Sequence, residues 1–127
     1  MTRVLVDTSL SVGHFRRSNP VLQSLLAMDR VLCHPLIVLE LACGTPPAPR
    51  ERTLDDLKTP CQAVVATTEE TLALVEKERL YESGCGSIDV ALFASALLTP
   101  DARLWTTDRS LDALARRLGV ACKPTGH

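Results

Sequence analysis

The sequence predicts a single α/β domain built on a parallel β-sheet. Short apolar runs rich in Val or Leu alternate with segments of helical periodicity, which is the pattern of strands connected by crossover helices. The 127 residues are 46% apolar, which suits one domain with a continuous core. The sequence contains no internal repeat, low-complexity tract or linker, so we expect residues 1–127 to form one domain.

Five apolar runs are the predicted strands. Each is short and uniformly apolar, as expected for strands that helices cover on both faces. The predicted strands are Val4–Val6, Val31–Cys33, Ala63–Ala66, Leu104–Thr106 and Val120–Cys122.

The segments between these runs carry helix start and stop signals. Asn19 is a good N-cap, and Pro20 suits the first position of the helix that follows. Thr67 and Glu70 match a capping box. The other predicted helices are Pro35 to Gly44, a weaker charged helix near Arg52–Lys58, Ile88–Leu98 capped by Ser87, and a last helix capped by Asp108 and ended by Gly119; the helix after Thr67 is expected to run to about Tyr81.

Composition and charge exclude several classes of protein. Aromatic residues are only 3% of the chain, which argues against a single-strand binder that stacks bases on aromatic rings. The formal net charge is -1, so a nucleic-acid partner would require a local basic patch or a bound metal. The sequence contains no run of about 18 apolar residues, so we predict no transmembrane helix. The apolar run that precedes Asp7 is too short for a signal peptide.

The cysteines and histidines predict neither a disulfide framework nor a zinc site. The five cysteines are odd in number and never spaced C-x-x-C, so we interpret them as small core residues in a reducing compartment. The three histidines are far apart in the sequence and lack an H-E-x-x-H context. The predicted location is therefore the cytoplasm.

Two acids directly follow predicted strands. Asp7 follows the first strand and Asp108 follows the fourth, and ligands of open parallel sheets bind at the carboxyl ends of strands. The alternative for Asp7 is that it caps the following turn with Thr8 and Ser9. The alternative for Asp108 is the N-cap role already described.

Two further acids are the lone charges of apolar helices. Glu40 lies in an otherwise apolar run from Pro35 to Cys43, where a buried carboxylate would need a cation or a wet cleft. The alternative is a narrow exposed stripe. Asp89 is the single acid of the helix after Ser87, and its alternative role is a favourable charge in the first helical turn.

Together the four acids indicate a site for a hard divalent cation. The topology brings at least Asp7 and Asp108 to one edge of the sheet, and Glu40 and Asp89 can project toward them from their helices. Mg²⁺ and Mn²⁺ prefer carboxylate and water oxygens, and such ions activate water for phosphoester cleavage. The sequence has no phosphate-binding glycine loop and no G-x-S-x-G motif.

The order of motifs resembles that of PIN domains. Asp7-Thr8-Ser9 is similar to the family's opening motif, and Glu40-Leu41-Ala42-Cys43-Gly44 to its E-L-x-x-G helix. The helix that carries Asp89 and the strand Leu104-Trp105-Thr106-Thr107-Asp108 resemble the segments that carry the third and fourth acids. With its small size, the chain is similar to VapC-type toxins of bacterial toxin–antitoxin pairs.

This resemblance implies a fold and an activity. The implied fold is a five-stranded parallel sheet with helices on both faces. The implied activity is Mg²⁺- or Mn²⁺-dependent endoribonuclease cleavage of tRNA, rRNA or mRNA, with Asp7, Glu40, Asp89 and Asp108 as metal-binding catalytic residues. A VapB-type antitoxin that blocks the site and a homodimer are also implied. Relatives often carry a Phe shortly after the last Asp, whereas Arg109, Ser110 and Leu111 follow Asp108 here.

Some roles and functions stay open. Asp112 is either an auxiliary ligand or a surface acid, and Thr106 either bonds a ligand or only ends its strand. Arg16 or Arg17 could hold the RNA backbone. The alternative functions are a non-catalytic PIN-like module that binds RNA or protein, and an acidic-site phosphohydrolase or phospho-acceptor domain.

Overall fold

The computed structural model describes residues 2–122 and contains a four-stranded parallel sheet. The strand order is β3-β2-β1-β4, so β1 lies in the interior of the sheet between β2 and β4. The strands are β1 (Arg3–Val6), β2 (Val31–Cys33), β3 (Cys61–Gln62) and β4 (Ala102–Trp105).

Seven α-helices connect and flank these strands in the described part of the chain. They are α1 (Thr8–Arg16), α2 (Pro20–Ala27), α3 (Pro35–Ala42), α4 (Arg50–Leu57), α5 (Thr68–Glu78), α6 (Ser87–Leu98) and α7 (Arg109–Arg117). A short 3-10 turn, Leu80–Glu82, follows α5. None of the described helices has the length and apolar character needed to span a membrane.

Strand β1 separates two apolar clusters. Leu5 belongs to the larger cluster, which includes Phe93 of α6 and Leu111 of α7. Val4 and Val6, its neighbours on the opposite face, belong to a smaller cluster with residues of α1 and α2. Because successive side chains of a strand point to opposite faces, this division shows that helices cover both sides of the sheet.

The predicted third strand is wrong in position. The strand is Cys61–Gln62 instead of Ala63–Ala66, and Val64 and Val65 after it are exposed. The backbone N–H of Ala66 donates a hydrogen bond to Ser95 Oγ at 3.0 Å, and that of Val64 to Thr99 Oγ1 at 2.9 Å. Ser95 of α6 and Thr99 at its C-terminus therefore accept the backbone N–H groups that a longer strand would have paired with a neighbouring strand.

The predicted fifth strand, Val120–Cys122, is also wrong within the described residues. Ala121 forms an isolated parallel bridge to Leu104 of β4, with hydrogen bonds of 2.7 and 2.9 Å on either side. One bridge does not make a strand, so the sheet has four strands and not the five that the PIN-domain resemblance implied. Residues 123–127 lie outside the described part of the chain.

Most predicted helices are confirmed, with three differences. Helix α1 is not among the predicted helices. Helix α5 has the predicted capping box of Thr67 and Glu70, but it ends at Glu78, because Arg79 adopts a left-handed conformation with φ 56°. Ser87 is the first residue of α6 rather than its cap, since Gly86 occupies that position without a side-chain bond.

The interpretation of the cysteines is correct in part. All five lie among the described residues and are free thiols. Cys33 is buried and Cys85 and Cys122 are partly buried, but Cys43 and Cys61 are exposed. Those two are therefore not core residues, because Cys43 lies at the end of α3 and Cys61 in the edge strand β3.

Candidate active site

Asp7 lies immediately after β1 and is the N-cap of α1. Its side chain is 2% exposed, and its Oδ1 accepts the backbone N–H of Leu10 at 3.0 Å. The capping role that the sequence allowed is therefore present. The capping bond uses only one of the roughly four lone-pair sites of a carboxylate, so capping alone does not exclude the ligand role.

Hydroxyl groups hold the Asp7 carboxylate in one orientation. Ser9 Oγ lies 2.8 Å from Oδ1 and 3.0 Å from Oδ2, and Thr106 donates a hydrogen bond to Oδ2. Thr107 supports this arrangement from β4's end, since its Oγ1 donates to Ser9 Oγ at 2.9 Å. A buried carboxylate with this many donors has little freedom to rotate.

Asp108 is connected to Asp7 through Thr106. The backbone N–H of Asp108 donates to Thr106 Oγ1 at 3.0 Å, and the same hydroxyl donates to Asp7. Asp108 is exposed and caps α7 by accepting the N–H of Leu111 at 2.9 Å. The structure thus brings together the two acids that follow neighbouring strands, as predicted.

Glu40 lies beside Asp7's neighbour Thr8, at the contact between α3 and α1. The Thr8 hydroxyl donates to Glu40 Oε1 at 2.5 Å. The half-buried Glu40 lines a cleft of about 390 Å³ together with Thr8, Arg16 and the segment Gly44–Pro47. The sequence allowed either a cleft or a narrow exposed stripe for the Glu40 carboxylate, and in the structure Glu40 lines a cleft.

Asp89 lies in the first turn of α6 and is half-buried. Burial raises its pKa above the ordinary value, and the negative charges of Asp108, Asp7 and Glu40 raise that pKa further. Because the effect of a charge falls with distance, all three carboxylates are near enough to Asp89 to oppose its ionisation. The four predicted acids therefore share one electrostatic environment.

The donor set matches a hard divalent cation in chemistry. None of the four carboxylates forms a salt bridge within residues 2–122, so the described structure contains no protein cation that neutralises them. Carboxylate oxygens are the ligands that Mg²⁺ and Mn²⁺ prefer. As they stand, however, no three His, Cys, Asp or Glu side chains in the described region are close enough together to hold an ion. Mutual repulsion of like charges favours such a spread arrangement.

The residues left open by the sequence have distinct contacts. Asp112 pairs with Arg116 at 2.6 Å along the surface of α7, which supports its role as a surface acid. Thr106 is buried and bonds Asp7 and Asp108 as described. Arg16 and Arg17 are both exposed, but only Arg16 lines the cleft that contains Glu40.

The sequence did not predict the contacts of three hydroxyl residues. Thr8 bonds Glu40, Ser9 bonds Asp7, and Thr107 bonds Ser9. Only their positions could have indicated a role at the site, because each lies within two residues of an acid at the end of a strand. The acceptors of Thr8 and Thr107 become clear only once α1 is known to contact α3 and β1 to pair with β4.

Comparison with known proteins identifies the family. No protein-family model matches the chain. Ribonuclease VapC32 from two strains of Mycobacterium tuberculosis (CDC 1551 / Oshkosh and ATCC 25618 / H37Rv) is 42% identical over 118 residues. The alignment covers 93% of this chain and 94% of each relative. The chain belongs to the VapC family of PIN-domain toxin ribonucleases.

Proposed function

We propose that this chain is a Mg²⁺- or Mn²⁺-dependent endoribonuclease and the toxin of a type II toxin–antitoxin pair. Its similarity to proteins named as VapC ribonucleases supports RNA cleavage. The observation that supports a metal site is the raised pKa of Asp89, to which the charges of Asp7, Glu40 and Asp108 all contribute. Like charges gathered without a neutralising side chain favour the binding of a cation.

Each acid has its own part in holding the ion. Asp7 is immobilised by its hydrogen bonds and supplies a fixed carboxylate. Glu40, Asp89 and Asp108 are less buried and would complete the ligand set after rotation of their side chains. Because its pKa is raised, Asp89 keeps a proton more readily than an ordinary aspartate and would release it when the cation binds.

The bound ion would supply an activated water and charge stabilisation for hydrolysis of a phosphodiester. The chain itself would orient the RNA. Arg16 lines the same cleft as Glu40, and its guanidinium would bind a backbone phosphate near the acids. The net charge of -1 gives no overall attraction for RNA, and this local contact would offset the repulsion of the acidic site.

The partner that fits this site is a VapB-type antitoxin. A negative pocket favours an Arg or Lys side chain from the partner, which would compete with the metal for the same carboxylates. Raising Mg²⁺ should therefore weaken inhibition of cleavage by the antitoxin. Inhibition that stays constant over a wide range of Mg²⁺ would place the partner's contact elsewhere.

Substitution of single acids tests the proposed site. Asp7→Asn, Glu40→Gln and Asp89→Asn each remove a charge with little change in size, and each should abolish Mg²⁺-dependent cleavage of RNA. The far-UV circular dichroism spectrum should remain that of the wild type. The matched control is Asp112→Asn, which should reduce cleavage only mildly, because Asp112 pairs with Arg116.

Two outcomes would contradict the proposed site. Full activity in any two of the three acid variants would rule out a shared site. A wild-type protein that binds RNA but does not cleave it with Mg²⁺ or Mn²⁺ would instead favour the non-catalytic module.

A further inference from the structure

A buried polar network joins the helix that carries Glu40 to the helix that carries Asp89. His34 follows β2 and is fully buried, and its Nε2 lies 2.9 Å from Oγ of Ser95, a buried residue of α6. The other ring nitrogen, Nδ1, accepts the backbone N–H of Leu36 at 3.1 Å and so caps α3. One imidazole ring therefore connects the start of α3 to α6.

The hydrogen bonds of this network assign its protons. Because Nδ1 of His34 accepts a hydrogen bond, the proton of the neutral ring is on Nε2, which donates to Ser95 Oγ. Ser95 donates in turn to the carbonyl of Ala91 at 2.9 Å and accepts the N–H of Ala66 at 3.0 Å. Burial lowers the pKa of His34 and favours this neutral ring. Every donor has an acceptor, so the network specifies one arrangement.

Along the two helices, the distance from His34 to Glu40 equals the distance from Ser95 to Asp89. Glu40 comes six residues after His34, and Asp89 comes six residues before Ser95. At the rise of an α-helix, each separation is about 9 Å along the helix axis. A small change in the placement of His34 against Ser95 would therefore be transmitted to both carboxylates.

Apolar packing alone does not determine this placement. Ile37 of α3 and Phe93 of α6 belong to the same large core cluster. Apolar contact is non-directional and tolerates small shifts. The hydrogen bond from His34 to Ser95 is directional, and its geometry restricts how α3 can slide or turn against α6.

We propose that His34 is a positioning residue, which acts through Ser95 to fix α3 against α6 and so sets the affinity of the acidic site for a divalent cation. This inference rests on the proposed function, because it assumes that Glu40 and Asp89 bind the same ion. His34 contacts none of the four acids by hydrogen bond in residues 2–122, so its effect on the metal would be indirect.

The test measures binding of Mn²⁺ alone by isothermal titration calorimetry. The main variant is His34→Asn, because Asn is a preferred N-cap and keeps the acceptor for the N–H of Leu36. Its side chain is too short to reach Ser95. We expect Mn²⁺ to bind about tenfold more weakly, in the range found for residues that support metal ligands, with unchanged helix content.

Two further variants separate positioning from general destabilisation. Ser95→Ala removes the other end of the bond and should weaken Mn²⁺ binding to a similar extent, with no additional loss in the double variant. Leu25→Ala is the control, because Leu25 lies in the smaller cluster of α1, α2 and the sheet. It should lower the melting temperature and leave the Mn²⁺ dissociation constant at the wild-type value.

A kinetic measurement provides a second readout. At a Mg²⁺ concentration that does not saturate the wild type, kcat for RNA cleavage should fall in His34→Asn while KM for RNA stays constant. Excess Mg²⁺ should restore kcat. A merely structural role would lower the melting temperature, as in Leu25→Ala, and would leave the Mg²⁺ concentration needed for half-maximal kcat at the wild-type value.

The outcomes distinguish this inference from the proposed function. A wild type that does not bind Mn²⁺ would overturn the proposed metal site and this inference with it. A wild type that binds Mn²⁺, with folded His34→Asn and Ser95→Ala that bind it equally well, would overturn the inference alone. If His34→Asn does not fold, Ser95→Ala decides by the same comparison with Leu25→Ala.

Discussion

The hydroxyl of Thr106 connects two acids that are 101 residues apart in the sequence. It donates to Oδ2 of Asp7 and accepts the backbone N–H of Asp108. Strands β1 and β4 are paired so that Val6 lies opposite Trp105. Asp7 follows Val6 and Thr106 follows Trp105, so these two residues are neighbours at the ends of the strands. The register of two parallel strands thus determines which side chains meet at the edge of the sheet.

Removal of this hydroxyl should destabilise the protein. Thr106→Val keeps the shape of the side chain but leaves the buried Asp7 carboxylate without one of its donors. We expect a fall in the free energy of unfolding of about 1–3 kcal/mol, as found when a buried polar group loses its partner. Urea unfolding measures it, with Thr106→Ser as the control that keeps the hydroxyl. Equal stability of the Val and Ser variants would show that the bond to Asp7 contributes nothing.

The two roles of Asp108 can be separated by two substitutions. Asp108→Asn keeps an N-cap acceptor for Leu111 and should leave stability close to that of the wild type, yet abolish RNA cleavage. Asp108→Ala should lose cleavage and also about 1 kcal/mol of stability, because the cap is gone. Thermal unfolding and a cleavage assay on both variants provide the measurement. Normal cleavage by Asp108→Asn would restrict this residue to capping.

The raised pKa of Asp89 predicts a pH dependence of stability. Below the unfolded pKa of about 3.8, Asp89 is protonated in both states. As pH rises through the raised folded pKa, the folded state must release a proton that it binds more tightly, so stability is lost. In EDTA, Asp89→Asn should therefore melt at a higher temperature than the wild type at neutral pH. The difference should shrink as pH falls toward 3.8.

Addition of Mg²⁺ to the same melts completes this test. The ion should stabilise the folded wild type by mass action, by about 2.7 kcal/mol at a hundredfold excess over the dissociation constant. Its melting temperature should therefore rise. Asp89→Asn should lose much of that response. If Asp89 were only a favourable charge in the first turn of α6, the substitution would lower stability slightly and Mg²⁺ would have no effect.

Local signals in the sequence predicted the elements with strong caps. The capping box of Thr67 and Glu70 and the N-cap of Asn19 with Pro20 are both present in the structure. Helix α1 has no apolar stripe, and Gly13 lies in its interior, so its formation depends on the Asp7 cap and on packing against the sheet. Local periodicity could not predict it.

Properties that depend on distant contacts could not be predicted. The segment Ala63–Ala66 has the composition of a strand, but Ser95 and Thr99 take the N–H groups of Ala66 and Val64. The four acids were predicted as site residues because each is chemically out of place in its own segment. The bonds of Thr8 to Glu40 and of Thr107 to Ser9 were not predicted, since hydroxyl residues are common near turns and these partners are distant in the sequence.

Neighbouring arginines offer a matched test of RNA binding. Arg16 lines the cleft with Glu40, and Arg17, the next residue, does not. Arg16→Ala should raise KM for RNA and reduce the salt dependence of binding by about one unit of slope, as expected for one lost phosphate contact. Arg17→Ala should change both less. Fluorescence anisotropy with labelled RNA over a series of salt concentrations makes the comparison, and equal effects of the two variants would contradict the assignment to the cleft.

The dependence of RNA cleavage on a divalent cation is the decisive measurement for the four carboxylates. Purified wild-type protein is stripped with EDTA, dialysed, and mixed with RNA while Mg²⁺ or Mn²⁺ is titrated from zero. We expect no cleavage without the ion, saturable recovery as it is added, and no recovery at any concentration in Asp7→Asn. Cleavage at the full rate in EDTA, or recovery in Asp7→Asn equal to the wild type, would contradict the assignment of the four carboxylates to a metal-dependent ribonuclease site.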